Sequence, residues 1–66
     1  MKRHPQLAPD HWLGTGAIAK MLHIGRNEVI RILDEGYLSG RRQANGFRQA
    51  RRQDVLAFMQ KYGIPE

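Results

Sequence analysis

The chain has 66 residues, no cysteine, and 11 Lys and Arg against 6 Asp and Glu, a formal net charge of +5. A domain of this size buries only about 60% of the surface its unfolded chain exposes, which leaves no room for a deep catalytic cleft beside a core. The absence of cysteine excludes disulfides and thiolate metal sites, and no apolar run approaches the roughly 18 residues of a membrane span.

Residues 1–11 contain Pro5 and Pro9 and no apolar periodicity. They are expected to form a flexible arm. Lys2 and Arg3 precede no apolar stretch, so a secretory signal is not expected. The folded domain is expected over 12–63, with a tail at 64–66. Trp12, the only tryptophan, should pack on the hydrophobic cluster; stacking on a base is the sharper alternative.

A first helix is predicted from Thr15 to Leu22, with Gly14 or Thr15 as its cap. Ile18, Met21 and Leu22 recur at i, i+3 and i+4, the buried stripe of a helix. His23-Ile24-Gly25 breaks the pattern. Val29, Ile32 and Leu33 repeat it in a second helix over about 26–35, which Gly36 ends in a left-handed turn. Glu28 suits that helix's dipole, whereas Asp34 and Glu35 oppose it. Two short helices across a tight turn form a helix-turn-helix, whose second helix reads DNA in the DNA-binding form. Its outward face carries Arg26, Asn27, Ile30 and Arg31. Arg26 and Arg31 suit a guanine edge and Asn27 an adenine edge. Ile30 suits a thymine methyl or, equally, the margin of the core.

Beyond Leu38, Ala44-Asn45-Gly46 reads as a hairpin tip, since Asn-Gly tolerates positive φ. The flanking strands are short and polar, with Phe47 as the visible anchor. Arg41, Arg42, Arg48, Arg51 and Arg52 fall within twelve residues that contain no acidic one. Arg41, Arg42, Gln43, Asn45 and Arg48 are the candidate DNA-binding residues of this projecting wing. Arg51, Arg52 and Lys20 are candidate phosphate contacts, suited to them by charge and, in arginine, by a planar fork. Arg42 or Arg48 could instead enter a narrow minor groove. A third helix is predicted from about Arg52 to Tyr62, with Val55, Leu56, Phe58 and Met59 inward and Gly63 and Pro65 as its stop. The fold class expected is therefore mainly α with a small β-hairpin: helix-turn-helix, two-stranded wing, C-terminal helix.

Catalytic chemistry is not expected. His4, His11 and His23 are scattered, and Ser39 is the only serine. No glycine-rich phosphate loop and no acidic metal cluster stands in the sequence. No cofactor or metal is expected, and an RNA-binding aromatic sheet is not evident.

In this order of elements the chain resembles the winged-helix DNA-binding domains of the MerR-like superfamily, nearest to the small excisionase-type members. Their pattern runs A-A-K-L-L-G-V-S-R-x-T-V-R-R-W-I-x-x-G-x-L, then a short arginine-containing wing with glycines at its tip, then R-R-x-x-x-x-D-L-x-A-F. The chain follows it without gaps from Ile18 to Phe58. Ala19, Lys20, Leu22, Ile24, Arg26, Val29, Arg31, Gly36 and Leu38 match or replace closely. Arg42, Gly46, Arg48, Arg52, Asp54, Leu56, Ala57 and Phe58 continue the match. The family's turn glycine is His23 here, its Ser cap is Gly25, its Thr before Val is Glu28, an outward Arg is Ile30 and an inward aromatic is Ile32. The long dimerising coiled coil of effector-sensing relatives is missing, so no small-molecule effector is expected. The resemblance implies double-stranded DNA as partner, with the second helix in the major groove and the wing on the adjacent minor groove or backbone. It also implies a cytoplasmic, nucleoid-associated protein of bacterial or mobile-element origin. The role implied is that of a recombination directionality factor, which loads head-to-tail on adjacent sites and bends DNA for an integrase. A small transcription regulator is the alternative role. A protein-interaction or docking module is the alternative from another class.

Overall fold

The computed structural model describes residues 11–65; the expected arm therefore lies, but for His11, outside the described residues. Three helices and a three-stranded antiparallel sheet follow one another in the order β1 (Trp12–Gly14), α1 (Thr15–Leu22), α2 (Arg26–Asp34), β2 (Arg41–Arg42), β3 (Arg48–Arg51) and α3 (Arg52–Tyr62). No described helix is long and apolar enough to cross a membrane.

The helices begin and end where local chemistry directs. Gly14 and Gly25 cap α1 and α2 in extended backbone without a side-chain bond. His23 ends α1 in the left-handed region, φ 61° and ψ 39°. The Ile24 N–H then reaches back to the Ala19 carbonyl at 3.1 Å, satisfying an orphan acceptor of the last turn. Gly63 ends α3 in the same way at φ 70°. The Ile64 N–H donates to the Met59 carbonyl, and the Ile64 side chain packs on the core. The packed unit thus runs one residue past the expected boundary at 63.

The sheet has one strand more than the expected hairpin. β1 pairs with β3 in the register Trp12↔Arg51, Leu13↔Ala50 and Gly14↔Gln49. β2 pairs with the other edge of β3, Arg41↔Gln49 and Arg42↔Arg48. The strand order is β1-β3-β2. A two-stranded hairpin is marginal alone; β1 supplies the third strand and the Leu13 side chain that ties it to the helices.

Nine side chains form the buried core: Leu13, Ile18, Ala19, Leu22, Val29, Leu38, Ala50, Val55 and Met59. Every described element except β2 contributes to it. Ala50, not Phe47, anchors the hairpin, because Ala50 is fully buried whereas Phe47 is 69% exposed. Ala50 lies opposite Leu13 on the inward face, and strand alternation puts Phe47 on the other. Gly40 admits β2 to the sheet. A Cβ there would stand 2.5 Å from the Gln49 carbonyl oxygen and 2.7 Å from Leu33 Cδ2.

Candidate nucleic-acid interface

The tip of the hairpin is a three-residue loop, Ala44-Asn45-Gly46, closed by the Gln43 N–H donating to the Phe47 carbonyl at 2.7 Å. The Gly46 N–H donates to the Gln43 carbonyl, and Gly46 takes φ +93°. This is the turn-plus-glycine arrangement of a three-residue hairpin. Positive φ falls on Gly46 alone and not on both Asn45 and Gly46, as the Asn-Gly pair suggested. Asn45 serves differently: its Oδ1 accepts the Phe47 N–H at 3.0 Å.

This tip faces the N-terminal half of α2 across an open cleft of about 430 Å³. Arg26, Asn27 and Ile30 stand on the helix side, Asn45, Gly46, Phe47 and Arg48 on the hairpin side, with Thr15 at one end. Arg26 and Ile30 share a side because they are four residues apart on one helix. Gln43 borders a neighbouring hollow with Arg26 and Phe47. The cleft therefore gathers five of the expected contact residues from two elements remote in sequence. Thr15 and Phe47 join them unforeseen. By sequence Thr15 is a candidate cap and Phe47 the visible anchor of the hairpin.

No family model matches this chain, and no curated protein or solved structure matches it.

The arginines of β2 and β3 divide over the two faces of the sheet, because successive strand residues point to opposite sides. On one face Arg42 stands opposite Arg48, a like-charge pair that is unfavourable by itself. Asp34, in the last turn of α2, resolves it. Arg48 Nε and Nη2 donate to the two Asp34 carboxylate oxygens at 2.8 and 3.0 Å. The Arg48 side chain is only 22% exposed. Its hydrogen bond is the leading cause that holds the Asp34 carboxyl below its ordinary range; desolvation opposes it as the next-largest effect, and the charges of Arg48 and then Arg42 add to the lowering. Arg48 thus does not project outward as the sequence suggested. It clamps the hairpin to α2, and the acid that opposes the helix dipole is its partner.

On the opposite face Arg41 and Arg51 flank Trp12. The Arg41 guanidinium carbon lies 3.8 Å from the indole ring centroid and that of Arg51 4.9 Å. Arg41 Nε and Nη2 both donate to Gln49 Oε1, at 3.1 and 3.0 Å. Trp12 is therefore half-buried under two cations and not in the hydrophobic cluster. Such stacking contributes about 0.5–1 kcal/mol per pair at exposed sites and leaves the guanidinium edges able to donate, as one edge of Arg41 does to Gln49.

Arg31 lies off the cleft, between Glu28 at 3.6 Å and Glu35 at 3.5 Å, all three exposed. These pairs add little stability in water, but two carboxylates beside one guanidinium weaken its pull on a base edge. Arg52 is half-buried and lines a shallow hollow with Met21, Leu56 and Met59. Its stem covers apolar surface, as long cationic side chains do. Lys20, Arg42 and Arg51 remain exposed. No group of three or more metal-ligating side chains exists among the described residues.

Proposed function

We propose that this chain is a winged helix-turn-helix domain that binds double-stranded DNA. In this reading α2 lies in the major groove and the hairpin is the wing, lying on the adjacent minor groove or backbone. The observation that carries it is the cleft between them. A helix face bearing Arg26 and Asn27 and a thin polar hairpin tip converge from opposite sides on one open concavity with no acidic residue in its lining.

Arg26 donates a fork to guanine O6 and N7, Asn27 pairs with adenine, and Ile30 meets a thymine methyl. Arg31 is a secondary base contact, since its charge is shared with Glu28 and Glu35. Lys20, Arg41, Arg42, Arg51 and Arg52 serve phosphates, which position the protein without reading sequence. Arg48 and Asp34 fix the angle between helix and wing. With about 5 phosphate contacts, log K against log salt falls with a slope of about −4 to −5.

The ungapped spacing of the resemblance supports an excisionase-type role: several copies on adjacent sites, bent DNA and an integrase as protein partner. Footprinting over the DNA around the chain's own gene tests both levels. Protection at low salt that weakens steeply with added salt is the result expected for DNA binding. Repeated protected sites with bending favour the recombination role, and one isolated site favours a transcription regulator. Absence of protection at low salt overturns the DNA-binding reading and leaves the protein-interaction module.

A further inference from the structure

We infer that Phe47 is an apolar wedge that enters a base-pair step of duplex DNA and unstacks it. This inference rests on the DNA-binding reading and adds to it a named residue and a deformation of the partner.

Four observations meet at this position. Phe47 is 69% exposed, and it has no stacking partner among the described residues, whereas Trp12 is covered by two arginines and Phe58 stacks on Tyr62 at 4.6 Å. Its backbone is held on both sides: the N–H by Asn45 Oδ1 at 3.0 Å and the carbonyl by the Gln43 N–H at 2.7 Å. The hairpin behind it is clamped to α2 by Arg48 and Asp34. Gly46 beside it has no Cβ and open space around it, so the tip is narrow.

A ring presented to solvent on a fixed mount, at the thin end of a cationic hairpin, is built to meet a flat apolar surface flanked by anions. A base step between two phosphates has that chemistry. Apolar side chains inserted at such steps kink the duplex by about 20–90°, and pyrimidine–purine steps such as TA open most readily. Asn45, beside the Gly46-Phe47 pair, keeps its amide N–H groups after its Oδ1 accepts the Phe47 N–H, and these are placed to hold a groove wall while the ring enters.

The test uses the full chain and a duplex of a footprint-protected sequence, with 2-aminopurine placed in turn at each TA or CA step and a fluorescence-transfer pair at the ends. Wild-type protein should raise 2-aminopurine emission at one step and shorten the end-to-end distance. Phe47→Ala should bind roughly 10- to 100-fold more weakly, the loss typical of one stacked base contact, and should produce neither signal. Phe47→Trp should restore both. All three proteins should melt at the same temperature, because the side chain contributes nothing to the core. If Phe47→Ala gives the wild-type emission and distance change at saturation, the wedge is wrong and DNA binding stands. A silent 2-aminopurine series with wild-type protein bound likewise overturns insertion. Failure of wild-type protein to bind any duplex at low salt overturns both readings together.

Discussion

His23 ends α1 at φ 61° and ψ 39°, and among the described residues it is the only non-glycine with positive φ. A side chain in that region brings Cβ against the following carbonyl, at a cost of roughly 1–2 kcal/mol. Replacing His23 by Gly removes that cost but loosens the unfolded chain, which returns about 0.4–1 kcal/mol. The net expectation is a gain of about 0.5–1 kcal/mol. For a domain of this size 1 kcal/mol moves the melting temperature by about 4–8 °C, so His23→Gly should melt roughly 2–8 °C higher. His23→Ala keeps the Cβ and its strain, and the imidazole is exposed, so its stability should stay within about 0.5 kcal/mol of wild type. Far-UV circular dichroism melts of the three proteins decide the matter. If His23→Gly melts at or below wild type, the turn is not strained by its side chain. If His23→Ala rises as far as His23→Gly, the imidazole is the cause and not the backbone.

Gly40→Ala should lower stability by about 1–3 kcal/mol, the usual cost of overpacking, because the added Cβ meets a backbone carbonyl at 2.5 Å that belongs to the neighbouring strand; a urea midpoint measures it, and an unchanged midpoint would show that β2 is free to shift. The depressed Asp34 carboxyl contributes stability that is complete above the ordinary carboxylate range and lost as pH falls through its lower folded-state value. Asp34→Asn should therefore melt below wild type at neutral pH and converge with it below about pH 4, with melts across the acid range as the check. Arg26→Ala should cost about 1–3 kcal/mol on a cognate duplex and far less on a scrambled one. Arg51→Ala should weaken both duplexes alike and make the salt slope shallower by about 1. Titration of both variants on both duplexes distinguishes them, and equal losses for Arg26→Ala would remove it as a base reader.

The helices were legible in the sequence because their apolar spacing is a local property. Thr15–Leu22 and Arg52–Tyr62 begin and end where the pattern and its glycines put them, and α2 stops at Asp34, one residue early. β1 was not legible. Three residues are too few to show alternation, and Trp12-Leu13-Gly14 becomes a strand only because residues 49–51 come alongside. The same non-locality misplaced Phe47 and Arg48. Side-chain type marks phenylalanine as an anchor, but strand register decides which face a residue joins, and here the smaller Ala50 takes the buried position. An unbroken run of arginines reads as one patch along the chain. Period-two alternation and one distant carboxylate, Asp34, divide it into a stacked pair on Trp12, a clamp and a smaller set of free cations. Of the candidate interface, Arg26, Asn27 and Ile30 were readable from helical spacing. Their opposition to Asn45 and Phe47 required the sheet to be in place.

The indole of Trp12 gives the molecule an optical gauge of its own. It is the sole tryptophan, and the strand that carries it pairs residues 12–14 with a segment nearly forty positions later. Its emission follows the closing of that long loop and the departure of Arg41 and Arg51 from the ring. Far-UV ellipticity follows the helices, none of which contains it. Recorded together during denaturation, the two signals ask whether sheet and helices come apart as one cooperative unit. Coincident transitions are the signature of a two-state domain, and an earlier optical change would show that the sheet, with the hairpin it supports, opens while the helices persist.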